Sequence, residues 1–165
     1  MDDTKDDRYS RAPEIEDLVS LCRSLNEAGA KYLLIGGFAV ILQGYVRGTK
    51  DIDLLVDPSP ENVKKLKKAL SSLPDNAISL ISDSEVEEYQ VVRISDEIVI
   101  DLMASACGVS LKEINEGIEW KEIQGVKIPV AGKKLLIRLK KTLRPSDMAD
   151  ISFLNQLLDA EEKKK

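Results

Sequence analysis

The stretch from Gly36 to Asp53, GGFAVILQGYVRGTKDID, constrains the fold of this chain more than any other segment. It follows an apolar run, residues 32–35, that is typical of a buried strand, and its Gly-Gly pair predicts a turn into a helix. It ends where a second strand, residues 51–56, begins with acid, apolar residue, acid. Side chains two apart on a strand point to the same face, so Asp51 and Asp53 are predicted to lie side by side.

The glycine turn and the paired acids together indicate phosphate and metal chemistry. Backbone amides that follow Gly36-Gly37 at a helix start suit an anion, because no side chain blocks its approach. Paired carboxylates on one face suit a hard cation such as Mg²⁺ or Mn²⁺. A third acid, Asp101, stands in the apolar run 98–102, where an unpaired carboxylate is costly to bury. If Asp101 reaches the pair, the three acids form a site for one or two ions that act on a nucleoside triphosphate.

Composition excludes several other kinds of function. The chain has 24 basic and 29 acidic side chains, so no global positive field attracts nucleic acid. It has no histidine, which excludes imidazole bases, Ser-His triads and the usual zinc sites. Its two cysteines, Cys22 and Cys107, form no CxxC motif and are predicted to be buried, reduced thiols. The charged start and the lack of a long apolar run predict a cytoplasmic protein that makes no membrane contact.

The order of apolar patterns predicts an α+β fold that ends in a C-terminal helical pair. We expect a disordered segment at 1–12, a single domain at 13–160 and a charged tail at 161–165. Helices are predicted at residues 13–29, 38–42, 59–73, 111–117, 133–144 and from 145 onward, and further strands at 88–94, 97–103, 119–123 and 126–130.

The basic helix at 133–144 contains six basic residues and no acid. At about 100° per residue its inward stripe is formed by leucines 135, 136, 139 and 143. Lys140 lies at the edge of that stripe and is predicted to turn inward to a triphosphate, whereas Lys141 faces solvent. Arg144 is near the same edge, where a phosphate contact and an ordinary salt bridge are both open. The remaining basic residues leave a local RNA track possible.

Two acids follow Pro145, and two kinds of role fit them. Asp147 and Asp150 suit a helix cap and first turn, because the positive end of a helix favours acidic side chains. They equally suit a role in orienting Lys140 or the acceptor. The pattern leaves both roles open.

The glycine turn, the acid-apolar-acid pair and the third strand acid resemble the nucleotidyltransferase superfamily with the DNA polymerase β-like fold. Within it, the chain is most similar to the small AbiEii-like group, which includes toxins of toxin–antitoxin systems. That group carries a late segment like LLxLKxxxRPKDxxDIxxL, and residues 135–154 here read LLIRLKKTLRPSDMADISFL. The resemblance leaves residues 57–96 and 104–131 unmatched. Gly37 replaces the superfamily's common serine, and Ser146 stands where the late segment often has lysine.

The resemblance implies a nucleotidyltransferase fold, with a mixed β-sheet flanked by helices. It also implies transfer of a nucleoside monophosphate from an NTP to an acceptor hydroxyl, with release of pyrophosphate. It implies that Asp51 and Asp53 bind both metal ions and that Asp101 binds the catalytic ion and helps to deprotonate the acceptor. The acceptor can be tRNA, a protein side chain or a small molecule, and a cognate antitoxin is a possible partner. Arg47 and Thr49 resemble the family's R-x-T element, and two roles are open for them, to steer substrate phosphate or to order the loop. The predicted nucleotide-binding residues are Gly36, Gly37, Arg47, Thr49, Lys140 and Arg144.

Two other classes of function remain open at this point. The first is a non-catalytic nucleotide-binding module of the same fold, such as a regulatory or antitoxin-partner protein. It is suggested by the small size of the chain and by the lack of a recognisable acceptor domain. The second is a glycosyltransferase that uses its DxD motif for a nucleotide-sugar, which would leave the glycine turn unexplained.

Overall fold

A computed structural model describes residues 10–164 of the chain. The predicted disorder of residues 1–9 and the end of the predicted tail, residue 165, lie outside the described residues. The strands are β1 (Tyr32–Ile35), β2 (Asp51–Val56), β3 (Val91–Ser95), β4 (Val99–Met103), β5 (Ser105–Ala106), β6 (Val109–Ser110), β7 (Ile118–Ile123) and β8 (Val126–Ala131). The helices are α1 (Ile15–Ala28), α2 (Gly36–Leu42), α3 (Pro60–Leu70), α4 (Glu85–Tyr89), α5 (Lys133–Leu139) and α6 (Pro145–Lys163).

Six of these strands form one mixed sheet in the order β3-β4-β2-β1-β8-β7, and β5 pairs with β6 in a small separate ribbon. The pairs β2–β4 and β1–β8 are parallel, and the other neighbours are antiparallel. Helices flank the sheet, and α5 packs against α6 at the C-terminal end. The predicted α+β fold, with a mixed sheet and a C-terminal helical pair, is confirmed.

The core explains why the central strands read as nearly continuous apolar runs. Every residue of β1 is buried, and β2 is buried from Leu54 to Val56, because helices and neighbouring strands cover both faces. Helix α1 packs against α3 and contributes a fully buried stripe that contains Leu18, Cys22 and Leu25. Burial of such side chains supplies most of the driving force for folding, at roughly 25 cal/mol per Å² of apolar surface.

Several predicted element boundaries were wrong. Helix α5 ends at Leu139 instead of residue 144, with Lys140 at its C-terminal cap already outside helical geometry. Pro145 begins α6 and disfavours helical backbone at Arg144, which is extended. Leu143 therefore leaves the predicted inward stripe and is 93% exposed. Residues 88 and 89, predicted as strand, belong to α4. The predicted helix at 111–117 is only a 3-10 turn, Leu111–Glu113. Cys22 is buried as predicted, whereas Cys107 is exposed because it lies in the turn between β5 and β6.

Ser10 and Arg11 contact the turn between β3 and β4. The Ser10 hydroxyl donates to the carbonyl of Asp96 at 2.6 Å, and the Arg11 amide donates to the carbonyl of Glu97 at 2.9 Å. The Arg11 guanidinium also pairs with Asp17 at the start of α1. Within residues 10–164, none of the helices combines the length and the apolar character that a membrane span requires.

Asn62 on α3 links the residue just before β1 to the residue just after β2. Its side chain is buried and accepts from the amide of Lys31 at 2.8 Å. It also donates to the carbonyls of Lys31 and Asp57, at 3.0 and 2.8 Å. Three backbone groups at the ends of two central strands thus depend on one amide.

We expect Asn62→Ala to lower the free energy of unfolding by about 2–3 kcal/mol, because three hydrogen bonds of about 1 kcal/mol each are lost. Urea denaturation measures the change. Asn155→Ala on the exposed face of α6 is the matched control and should change stability by less than about 0.5 kcal/mol. Equal stability of the two variants would contradict this role of Asn62.

Candidate metal and nucleotide site

The pairing of β2 with β4 brings three carboxylates together. The strands run parallel with Asp53 opposite Asp101, and Asp51 lies two residues earlier on the same face of β2. Carboxylate oxygens of Asp51, Asp53 and Asp101 all lie within 4.8 Å of one another. The fold thus brings together the three acids that were predicted from the sequence to form a metal site.

Asp53 is the most constrained of the three carboxylates. Its Oδ1 is buried and has no hydrogen-bond partner among the described residues. Burial raises the pKa of Asp53 well above its ordinary value, and the charges of Asp51 and Asp101 act in the same direction. The pKa of Asp51 is also raised, first by burial and then by Asp101. An oxygen-lined cluster with an unpartnered oxygen fits a hard divalent cation.

The glycine turn packs directly against these acids. Gly36 has a φ of +71°, and a Cβ at this position would overlap the Asp53 carboxylate, 2.7 Å from its Cγ. A Cβ at Gly37 would lie 2.7 Å from the hydroxyl of Thr49 and 3.0 Å from a guanidinium nitrogen of Arg47. The two glycines therefore let the start of α2 touch Asp53 on one side and the loop before β2 on the other.

The loop before β2 is held in place by Arg47 and Thr49. The Arg47 guanidinium donates to the carbonyl of Gly48 at 2.8 Å and to Asp150 on α6 at 2.8 Å. Its Nε is buried and has no hydrogen-bond partner in the described part of the chain. The Thr49 hydroxyl donates to the carbonyl of Asp51 at 3.2 Å. Arg47 thus joins the loop to the C-terminal helix.

Lys140 turns inward, as the helical wheel indicated, and is only 7% exposed. Its Nζ lies 3.1 Å from Asp147 and 3.1 Å from Asp150. The charge of Lys140 also favours the ionised form of Asp53. Of the two roles left open for Asp147 and Asp150, the geometry favours the orientation of Lys140.

Arg144 also belongs to this network, through Asp147. One Asp147 oxygen accepts from Arg144 Nε at 2.8 Å and from the Thr142 hydroxyl at 2.7 Å. The Arg144 side chain is 74% exposed. The bond to Asp147 raises the pKa of Arg144, with smaller contributions in the same direction from Asp53 and Asp51. Arg144 therefore combines an ordinary salt bridge with a position close to the carboxylates.

Sequence reasoning missed Arg93, which contacts two of the three acids. It lies on β3 directly opposite Asp101. Its Nε and one Nη donate to the two oxygens of Asp101, each at 2.9 Å, and the same Nη lies 3.2 Å from Asp51. The predicted hairpin, with Ser95-Asp96 as its turn, pairs Arg93 with Ile98, so the contact with Asp101 depends on the observed register, in which Ser95 lies opposite Val99.

Two cavities lie at opposite ends of β2. One of about 420 Å³ opens beside Asp51 and Arg93, and Ser10, Arg11 and Lys50 also line it. A larger one of about 730 Å³ is bordered by Asp57, just beyond the far end of β2. The smaller cavity is the one that adjoins the carboxylates, so size alone does not locate the site.

No family model and no curated protein sequence matches the chain. Among solved structures, it is similar to the lincosamide antibiotic adenylyltransferase LnuA in its lincomycin-bound form. The TM-score is 0.56 at 16% identity, over 88% of this chain and 98% of that one. A Thermotoga maritima protein, TM1012, provisionally described as a nucleotidyltransferase, gives a TM-score of 0.49 at 14% identity, over 91% and 89% of the two chains. The likeness to LnuA shows that the chain has the nucleotidyltransferase fold.

We expect Gly36→Ala to be more destabilising than Gly29→Ala. Both glycines have a φ of +71°, but a Cβ at Gly29 meets nothing within 4 Å. The shared backbone strain costs about 1–2 kcal/mol, and the overlap with Asp53 adds about 1–3 kcal/mol at position 36 only. Urea denaturation of the two variants measures the difference. Equal losses would show that Asp53 does not need the space.

We expect Asp53→Asn to stabilise the metal-free protein at pH 8. Because the pKa of Asp53 is raised in the folded state, the folded protein holds a proton that the unfolded chain releases. Its stability therefore falls as the pH rises above the ordinary value of 3.8 and through the folded-state pKa. Asparagine removes this penalty, so the gain should shrink toward pH 4. Denaturation in EDTA across this range tests it, and a less stable variant at pH 8 would contradict the expectation.

Proposed function

We propose that the protein is a divalent-metal-dependent nucleotidyltransferase. It moves a nucleoside monophosphate from an NTP to an acceptor hydroxyl and releases pyrophosphate. The observation that carries the proposal is the cluster of Asp51, Asp53 and Asp101 in a chain with the nucleotidyltransferase fold. The buried, unpartnered oxygen of Asp53 supports a metal site over a solvated acidic patch.

Asp51, Asp53 and Asp101 would hold the ion, Mg²⁺ or Mn²⁺, through carboxylate oxygens. When bound, the ion supplies neutralisation of the triphosphate charge and stabilisation of the departing pyrophosphate. Within the chain, Gly36 has no side chain and so leaves the space beside the start of α2 that the Asp53 carboxylate occupies. The glycine turn thus makes room for a metal ligand as well as for the nucleotide.

The triphosphate would be held by the cations on the α5–α6 side of the cluster. Arg47, Lys140 and Arg144 meet two carboxylates, Asp147 and Asp150, so this network carries one excess positive charge. Asp147 and Asp150 are buried and both contact the buried Lys140, which keeps this cation in a fixed position. Fixed cations need no rearrangement when charge develops on the leaving group, and this arrangement favours the transition state.

The transfer exchanges one phosphorus–oxygen bond for another. The acceptor oxygen forms a bond to the α-phosphorus as the bond between the α-phosphorus and the bridging oxygen to the β-phosphate breaks. The acceptor proton goes to a base, and Asp101 is the carboxylate to which we assign it. In-line attack requires the acceptor to enter opposite the leaving pyrophosphate. We assign the acceptor to the cavity beside Asp51 and Arg93, because it adjoins the carboxylates.

For the acceptor, a small hydroxyl-bearing molecule is the first choice to test. The fold neighbour LnuA is named for a lincosamide antibiotic. A tRNA acceptor and a cognate antitoxin, which the resemblance to the AbiEii-like group implies, find no support among the structural neighbours. The α5 segment still offers three exposed basic residues for an RNA test, Lys134, Arg138 and Lys141.

We expect the protein to transfer label from an NTP to an acceptor and to release pyrophosphate only with Mg²⁺ or Mn²⁺. Asp53→Ala and Asp101→Asn should each lower the rate by about 100-fold or more, because each removes a metal-binding carboxylate. Asp159→Ala on the exposed surface of α6 is the control and should leave the rate unchanged. The assay uses each of the four NTPs with a lincosamide and with mixed tRNA as acceptors.

Unchanged activity in Asp53→Ala would refute the assignment. Calorimetry separates the enzyme from a non-catalytic module of the same fold. NTP binding that is independent of the ion and releases no pyrophosphate would support the module.

A further inference from the structure

We propose that Arg93 is an internal cation that occupies Asp101 and Asp51, and that a divalent ion must displace it to use these two acids. The proposal rests on the metal site of the proposed function. Its basis is the paired contact with both oxygens of Asp101, each at 2.9 Å, together with the 3.2 Å contact with Asp51.

Arg93 and a metal ion would compete for the same oxygens. A paired guanidinium contact engages both oxygens of a carboxylate, which are also the atoms that bind metal. A guanidinium and a divalent ion on one carboxylate would lie a few ångströms apart and repel each other. Simultaneous binding of Arg93 and a divalent ion is therefore unfavourable, and Asp101 binds one cation at a time.

The burial of the two partners decides which of them moves. The Asp101 side chain is 7% exposed, whereas the Arg93 side chain is 46% exposed and can swing into solvent. Strand β3 is the edge strand of the main sheet. Its residues Val92 and Ile94 are buried on the opposite face, so β3 remains anchored while the Arg93 side chain leaves.

The same contact explains how the metal-free protein tolerates its third acid. Asp101 stands between Ile100 and Leu102, both with no exposed surface. A buried carboxylate without a cation is strongly destabilising. Arg93 supplies the charge in the metal-free state, and the ion supplies it in the loaded state. The free protein should therefore bind the ion more weakly than three unpaired carboxylates would.

The test is a titration with Mn²⁺ alone, followed by electron paramagnetic resonance, for the wild type, Arg93→Met and Arg93→Lys. We expect Arg93→Met to bind Mn²⁺ about 10-fold more tightly than the wild type, because the competing charge is removed, with Arg93→Lys between them. Arg23→Met on the exposed surface of α1 controls for net charge and should leave the affinity unchanged. If Arg93→Met does not fold, Arg93→Lys still tests the direction of the change.

A second measurement follows the Arg93 side chain directly. Its Nε–H signal in a nitrogen–proton NMR spectrum is assigned by its loss in Arg93→Lys. Saturating Mg²⁺ should move this signal to the position of a solvent-exposed arginine in the wild type. In an Asp101→Asn background the effect of Arg93→Met on Mn²⁺ affinity should be smaller, because the main contact is already lost.

The outcomes separate this proposal from the proposed function. No Mn²⁺ binding by any variant would refute the metal site and both proposals with it. Equal affinity in the wild type and Arg93→Met, or an Nε–H signal unchanged by Mg²⁺, would overturn the role of Arg93 and leave the metal site intact. Weaker binding by Arg93→Met would show instead that Arg93 positions Asp101 for the ion.

Discussion

The repulsion among three carboxylates is the constraint on which the rest of the site depends. Parallel pairing of β2 with β4 places Asp53 opposite Asp101, and the apolar core on both sides removes the water that would screen their charges. Cations face the carboxylates from two directions. Arg93 lies on the edge strand β3, and Lys140 lies at the end of α5. The acids can remain together only because these cations face them.

The C-terminal helical pair holds the cations on the nucleotide side in place. Helix α5 ends just before Lys140, and α6 begins at Pro145 and supplies Asp147 and Asp150 as buried partners. Because Asp150 also binds Arg47, the loop before β2 and the C-terminal helix form one network. A segment far from the acids in sequence therefore orders the loop that leads into them.

Local patterns predicted much of the fold and of the site. Apolar runs bounded by glycine and charged residues located β1 and β2 at their observed limits, because buried strands leave a strong local signal. The helical wheel correctly turned Lys140 inward. It failed at Leu143, because α5 ends at Leu139 and the residues that follow are not helical. The roles predicted for Gly36 and Gly37 did not include their close packing against other residues. Their contacts with Asp53 and Thr49 are tertiary contacts, which the local sequence does not predict.

The sequence by itself determined the fold class, the paired acids on one face of β2 and the need of Asp101 for a partner. Each of these follows from alternation, burial and turn chemistry within a few residues. Only the tertiary structure decided which groups meet those needs. The register of β3 against β4 pairs Arg93 with Asp101. The packing of α6 places Asp147 and Asp150 in contact with Lys140. Strand register and helix packing depend on the whole core. The sequence therefore shows each charged residue, but its ion-pair partner is decided only in the folded structure.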